Sequence, residues 1–476
     1  MDSLDACSEV STTRVSGWIK HSTTLVESLD PPAHAGGTDL IPATMDSSAT
    51  QKPNLRTEAI AGVTTFFTMA YIVIVNPQIL SAGGKTGMAF NGVLTATVLI
   101  CFTMTLLMGV YAKLPFAVAP GMGINVFFTY TIILGKGVPW PVALGIIFWA
   151  GVIFLLISVT PVRESIARAI PAELRIAAAA GIGIFLTFIG LKNAGFIVAD
   201  SVTFVKLGAL GKPALLTILG LAISAFLMSR KNPVAFLLAI VAVTIIAWAL
   251  GLVNTPAQVL SLPDFKSVFL KLDVLGSLKL ALLPSIISIL FTDLFDSIST
   301  FIGVAHAADL LDEHGHPRNL RQGLIVDSLA TMGAGLAGTS SGTAYVESIA
   351  GISMGGRTGL TSVFTALCFL PCFFIAPVAG MVPPFATAAV LILVGAAMFK
   401  SVGKINFSKI EEGVPAFLTL ILIPLTFSIT QGILWGFISH VGLYLMVGRR
   451  REIHPVMYAL ALVSIGLLVL ERVKFN

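Results

Sequence analysis

The sequence predicts an all-α polytopic membrane protein, and three observations carry that prediction. Hydrophobic residues make up 56% of the chain and charged residues 11%, against roughly a quarter charged in soluble globular proteins. The mean hydropathy is +0.93. From Glu58 onward, apolar runs succeed one another at about the 20-residue length needed to cross a ~30 Å hydrocarbon core, which leaves no stretch for a soluble domain. The formal net charge of +5 does not argue for nucleic acid, because the basic residues sit in short loops where the positive-inside rule explains them.

In chain order, residues 1–52 come first, rich in Ser, Thr, Asp and Pro and without periodicity, and they read as a disordered tail. Asp5, Glu9, Glu27 and Asp30, with no apolar core of signal-peptide length, argue against a secretory signal or a transit peptide. Met45, shortly before Asn54-Leu55-Arg56-Thr57-Glu58, is an alternative start that an N-terminal peptide map would test. The apolar runs then lie near 60–80, 92–111, 115–134, 141–160, 174–191, 213–229 and 233–254, and near 280–305, 322–337, 343–353, 359–380, 384–399, 414–430 and 431–447, fourteen in all. A last apolar stretch, 456–471, either lies along the interface or marks a wrong division of the region before it.

With a cytoplasmic N-terminus, the inner loops hold Lys113, Arg163, Arg168, Arg175, Arg230, Lys231, Arg318, Arg321, Arg357, Lys400, Lys404, Lys409 and the run Arg449 to Arg451. The outer loops hold fewer basic residues: Lys85, Lys136, Lys192, Lys206, Lys212, Lys266, Lys271 and Lys279. This bias supports both the count and the orientation. Seven runs before the loop at 255–278 and seven after it place the halves in opposite orientations, as in inverted-repeat transporters. Direct self-similarity is faint, but each half has an interrupted third segment: LPFAVAPGMGINVFF, Leu114 to Phe128, and GTSSGTAYVESIAG, Gly338 to Gly351. Broken helices of that kind aim free backbone groups at a ligand near the midplane.

The costliest residues are acidic. Asp293 and Asp296 lie inside the apolar run from Pro284 to Ala305, which contains no basic residue, and a carboxylate at bilayer depth persists only facing protein or water. Three positions apart, they are neighbours about one helical turn apart. A carboxyl in such surroundings can exchange a proton near neutral pH, while its neighbour accepts hydrogen bonds from a ligand. The alternative is a helix cap or an ion pair at a membrane edge. Glu347 is either an interfacial loop residue or a third acid pointing into the same cavity, and Asn125 either satisfies backbone or reads a ligand. Phe127 or Phe295 can stack on a planar ligand.

Other features take the plainer reading. Cys7, Cys101, Cys368 and Cys372 imply no disulfide, and Cys368 with Cys372, lacking an accompanying His or further Cys, reads as two packed thiols. His306, His314 and His316 follow the eighth run and read as a solvated loop rather than a metal site. Gly121 to Asn125 is no dinucleotide fingerprint, for want of a βαβ context. Asp327 begins a run and reads as a rim or network residue. No metal and no cofactor is expected.

Five segments carry a family resemblance: Asn54 to Pro77 (NLRTEAIAGVTTFFTMAYIVIVNP), Ala119 to Phe128 (APGMGINVFF), Phe291 to Ala305 (FTDLFDSISTFIGVA), Gly338 to Ser362 (GTSSGTAYVESIAGISMGGRTGLTS) and Pro415 to Ile433 (PAFLTLILIPLTFSITQGI). Together they resemble the azaguanine, adenine, hypoxanthine and guanine permease branch of the nucleobase:cation symporters, from Asn54 to about Arg451. The resemblance implies fourteen spans as two inverted seven-span repeats, with short β-strands in the third and tenth. It implies a core domain of 53–171 and 279–381 and a gate domain of 172–278 and 382–476, the last including the C-terminal segment. It implies substrate held by the carboxylates Asp293, Asp296 and Glu347 with Asn125 contributing. Taken with the reading of the residues above, substrate binding is expected at Asp293, Glu347, Asn125 and Phe295, and proton coupling or its network at Asp296 and Asp293. The family's usual LFDTxGT appears as Leu294-Phe295-Asp296-Ser297-Ile298-Ser299-Thr300, with Ser297 in place of Thr and Ser299 in place of Gly, which leaves both acids present.

The implied activity is import of a purine nucleobase with a proton, by alternating access, across the cell membrane, with no enzymatic step. The same fold carrying xanthine, uracil or another small anion is the alternative. Polar interrupted helices also permit a channel, and paired aspartates an intramembrane enzyme. Expected partners are the base, the proton and the lipid bilayer, with a homodimer left open.

Overall fold

The computed structural model describes residues 54–160, 169–308, 310–311 and 318–472. The tail, Met45, Cys7, His314 and His316 lie outside the described residues. Most of the described chain is helical, the form in which an apolar run satisfies its backbone N–H and C=O groups within its own segment. Among the described residues, eight helices are long and apolar enough to cross a membrane, and four shorter apolar helices accompany them.

The first helix, Leu55–Met69, is capped by Asn54, whose side chain accepts from the Arg56 N–H at 3.1 Å. It yields at Ala70 and Tyr71 to Ile72–Ser81, and Phe90–Leu107 follows. The next segment is interrupted: strand β1, Val118–Pro120, a short helix Met122–Val126, and a wider π-helical stretch Phe127–Ile133. Trp140–Val159 and Ala172–Asn193 precede a hairpin of β2, Ile197–Asp200, and β3, Phe204–Leu207. After Lys212–Ser229 and Ala235–Ala249, the long helix Leu283–Ala308 opens the second half and is followed by Leu320–Ala337. Strand β4, Gly342–Ala344, leads to the short helix Ser348–Ser353.

β1 and β4 pair antiparallel, with Val118 opposite Ala344, Ala119 opposite Thr343 and Pro120 opposite Gly342. The Tyr345 N–H to Ala117 carbonyl bond, 2.9 Å, and the Gly121 N–H to Ser341 carbonyl bond, 2.8 Å, extend the ladder at its two ends. Both strands are fully buried, so each interruption satisfies the backbone of the other. The turn that releases β4 from helix Leu320–Ala337 is Gly338, at φ +94°, a left-handed cap that glycine adopts without a side-chain penalty. Elsewhere, helix Ala172–Asn193 packs on Pro384–Phe399. A Cβ on Gly183 would sit 2.6 Å from the Gly395 carbonyl oxygen, so small residues set this close approach.

Several boundaries differ from the sequence expectation. The run 359–380 is not one helix: Gly359–Phe369 gives way to a 3-10 turn, Leu370–Phe374, and then Ala376–Met381, with Pro371 and Pro377 each in the first turn of a new segment, where a missing N–H costs least. The division placed between 430 and 431 falls at Phe427, φ +51°, and Ser428, which caps Ile429–Met446. The stretch 456–471 is the helix Pro455–Arg472, packed against Ile429–Met446. The helix Leu283–Ala308 continues through position 306, which the sequence reading placed in a loop. The β2–β3 hairpin was not anticipated, since β3 is exposed along its whole length and carries no alternation of burial.

Candidate substrate-binding site

Two faces of helix Leu283–Ala308 carry the two aspartates to different places. Asp293 is 1% exposed and turns toward helix Leu320–Ala337 and the approach to β4. Its carboxylate accepts from the hydroxyls of Thr331 and Ser341, the latter at 2.8 Å. Asp327, also fully buried, accepts from Ser297 and, at 3.4 Å, from Thr343. These bonds tie three elements into one buried polar network. Within it, Oδ1 of both Asp293 and Asp327 has no protein partner, an arrangement that a native interior rarely tolerates without a use for it.

Asp296, one turn on, is half-buried and faces a cavity of about 670 Å³. Glu347, the residue just before helix Ser348–Ser353, lines the same cavity, and its Oε1 accepts from the Tyr71 hydroxyl at 2.7 Å. Phe236 meets the Tyr71 ring edge-on at 5.3 Å. Tyr345 adds another aromatic wall and is fixed by donating its hydroxyl to the Pro120 carbonyl at 2.6 Å. The lining is drawn from residues 68–123 and 296–350 together with 228–236 and 393–398. It is mostly apolar, with two carboxylates as its charged groups. A second cavity of about 60 Å³ shares Gly121, Gly123, Asp296 and Met398 with the first and is completed by Arg175, Thr292, Phe295 and Ser299 among others.

The structure thus brings Asp296 and Glu347 to one cavity and sets Asp293 behind it. From sequence, Asp293 is expected at the substrate and in proton coupling, and Asp296 in proton coupling or its network; it is Asp296 that lines the cavity with Glu347. Phe295, 6% exposed, borders the small cavity and stacks on Phe291 at 5.7 Å. Asn125 is fully buried outside both cavity walls, its side-chain oxygen accepting from Ser340 and its side-chain nitrogen without a protein partner. Phe127, 1% exposed, is packed in the core.

Sequence reasoning missed Tyr71 and Phe236 as lining residues. Phe236 sits in a uniformly apolar helix, where nothing distinguishes it. Asp327 was noted and set aside; a third acid inside an apolar run was the available signal. Among the described residues, no group of His, Cys, Asp and Glu is arranged to hold a metal ion, and Cys101, Cys368 and Cys372 are free thiols. Chemically, the site offers two carboxylate edges and aromatic walls, suited to a flat, uncharged ligand with donor groups along its rim.

The xanthine/uracil permease model, described as a permease family, matches residues 56–434. The chain belongs to that family. This permease is a transporter and not an enzyme. It is 44% identical over 411 residues to the adenine permease AdeP of Escherichia coli, covering 86% of this chain and 92% of the relative. It is 38% identical over 421 residues to the guanine/hypoxanthine permease PbuO of Bacillus subtilis, covering 87% and 96%. Among solved structures, the transmembrane domain of the cyanobacterial bicarbonate transporter BicA is similar with a TM-score of 0.59 and 18% identity, over 81% of this chain and 98% of that one. At that identity the permease shares its fold with BicA and nothing finer.

Proposed function

We propose that this permease imports purine nucleobases together with protons, holding the base between Asp296 and Glu347. The observation that carries the reading is that these two acids, from separate segments, face one largely apolar cavity. Its volume falls in the range of about 300–1,000 Å³ common for small-molecule sites. The names of the relatives, an adenine permease and a guanine/hypoxanthine permease, support a purine as cargo. A purine edge carries donors and acceptors side by side. Ionised Glu347 accepts from a ring N–H, and protonated Asp296 donates to a ring nitrogen or carbonyl. An analogue lacking a matched group leaves a buried polar atom unpaired, which is the source of strong discrimination. Base and proton then favour the same loaded state, and coupling follows.

The finer architecture belongs to the same proposal. Fourteen spans form two inverted seven-span repeats; 53–171 and 279–381 make a core, and 172–278 and 382–476 a gate. The cavity lining draws on both sets, which supports alternating access by movement of one against the other. The lining includes Asn232 and Pro233, next to Arg230 and Lys231, so in this reading the conformation is the one open to the cytoplasm. The N-terminus is cytoplasmic and the membrane is the cell membrane.

Uptake of radiolabelled adenine, guanine or hypoxanthine into a transport-deficient cell tests the reading. Expression should produce saturable accumulation that collapses with a protonophore, and Asp296→Asn and Glu347→Gln should each abolish it while the protein still inserts. Accumulation indifferent to the protonophore would remove the coupling. Wild-type uptake in both variants would show the site to be elsewhere. Stronger competition by xanthine or uracil than by any of the three purines would change the cargo.

A further inference from the structure

We infer that the small cavity beside Asp296 is a water-filled proton passage, distinct from the route taken by the base, with Arg175 as the charge that positions it. The inference rests on the proposed coupling through Asp296. Four polar groups line this cavity: the Asp296 carboxylate, the Ser299 and Thr292 hydroxyls and the Arg175 guanidinium. Thr292 is only 7% exposed, and its hydroxyl has no protein partner. The Arg175 Nε is likewise buried without one. Four polar residues converging on one cavity are a setting in which internal waters are held, and a cavity of about 60 Å³ has room for a few of them. It has no room for a bicyclic base. The rest of its wall, including Ile124, Ile182 and Met398, is apolar, so the polar groups form a track rather than a wet surface.

The direction of the track follows from its ends. Asp296 borders both cavities, and Arg175 is half-buried in the first turn of helix Ala172–Asn193, at the end that the distribution of basic residues assigns to the cytoplasm. Asp296 faces Glu347 and Tyr345 across the large cavity and Arg175 across the small one. Asp293 lies one turn back on its own helix, and Asp327 lies behind it on Leu320–Ala337. The helices Trp140–Val159 and Met122–Val126 carry no titratable group, and Ile429–Met446 presents Phe437 beside Phe295. Glu173 stands beside Arg175 in the same first turn, and the helices Ile410–Thr426 and Ile429–Met446 packed on Ala172–Asn193 carry Glu411, Glu412 and His440. Among the residues lining the small cavity Arg175 is the basic group and Asp296 the acidic one. Guanidinium keeps its charge at any accessible pH, so it does not carry the proton. It favours ionised Asp296 after the base has left. The Asp296 O–H bond breaks, a water takes the proton, and successive waters pass it to the inner solution, leaving the carboxylate opposite Arg175.

The full-length protein in liposomes tests this through a split between two rates. Exchange of labelled adenine against unlabelled adenine needs no proton release, whereas net uptake driven by a pH gradient does. Arg175→Ala and Thr292→Val should each lower gradient-driven net uptake by about a hundredfold, the low side of what a positioned proton transfer contributes, with exchange held within about twofold. Arg175→Lys should restore part of the net rate and Arg175→Gln should not. Exchange and net uptake falling in parallel would make these residues base contacts or structural supports and overturn the passage. Both rates unchanged would route the proton elsewhere. Should Arg175→Ala fail to insert, Thr292→Val, which keeps shape and removes only the hydroxyl, decides alone. Wild-type accumulation without a pH gradient would defeat the coupling and the passage together; wild-type coupling with unaffected variants would defeat the passage only.

Discussion

Tyr71 holds Glu347 through one hydrogen bond of 2.7 Å while its ring keeps the edge contact with Phe236. Tyr71→Phe removes the bond and keeps the ring. A hydrogen bond to a charged group contributes ~1.5–3 kcal/mol, so the concentration for half-maximal purine uptake should rise about tenfold or more with the maximal rate retained, as a concentration series of labelled uptake would read. Asp293 should behave otherwise. Asp293→Ala removes the acceptor that Thr331 and Ser341 share, leaving them to each other and to the Gly342 carbonyl, and each lost hydrogen bond costs about 1 kcal/mol. Its thermal unfolding in detergent should move clearly downward, whereas Asp296→Asn should lose transport with little change in melting. Equal melting of the two variants would place Asp293 outside the network. The acids were legible because charge at membrane depth is expensive. Their separate placements were not: residues three apart differ by about 60° around a helix, enough to put one on a cavity and the other behind it, and no pattern of residue types encodes that rotation.

Among the elements, the interrupted segments were readable from Gly, Pro and Ser clustering in otherwise apolar runs, since such clusters cannot continue a helix. The break at Phe427 was harder to read, because a bulky aromatic at positive φ runs against every local preference and is imposed by packing beside Phe185 and Phe188. The β2–β3 hairpin was invisible for a related reason: its order comes from polar bonds at the turn, not from a buried face. Asp200 accepts from the Val202 and Thr203 N–H groups and pairs with Lys206 at 2.9 Å. Lys206 first, then those backbone donors, hold the Asp200 carboxyl down at about 2. A depressed carboxyl stabilises the fold above its unfolded value, about 3.9, and that contribution disappears as pH falls toward 2. Amide exchange at Val202 and Thr203 should therefore stay slow relative to free-peptide rates at pH 5 and lose its protection near pH 2, while an Asp200→Asn hairpin should show less protection at both.

For the molecule as a whole, the helical membrane class was plain from hydropathy, and the family from five long motifs; the relatives at 44% and 38% identity agree with those motifs. Which segments face each other across a cavity was not plain, because apolar runs against lipid and against protein are equally hydrophobic. Phe236 and Met398 were hidden for that reason. The cavity gives the whole-molecule reading a direct check: a cysteine at Asn232, which lies on its lining, should react with a membrane-impermeant thiol reagent from the cytoplasmic side only, and saturating purine should slow that reaction. Labelling from the outside alone would reverse the assigned orientation.

The pairing of β1 with β4 also bears on how the chain is made. Residues 118–120 leave the ribosome long before their mates at 342–344 do; at ~5–20 residues per second the wait is on the order of tens of seconds. During that interval the first strand's peptide groups need a temporary host, within the translocon or an insertase, since hydrocarbon offers none. A nascent amino-terminal fragment is thus an incomplete object, and two separately encoded halves would have to meet during insertion to mature at all.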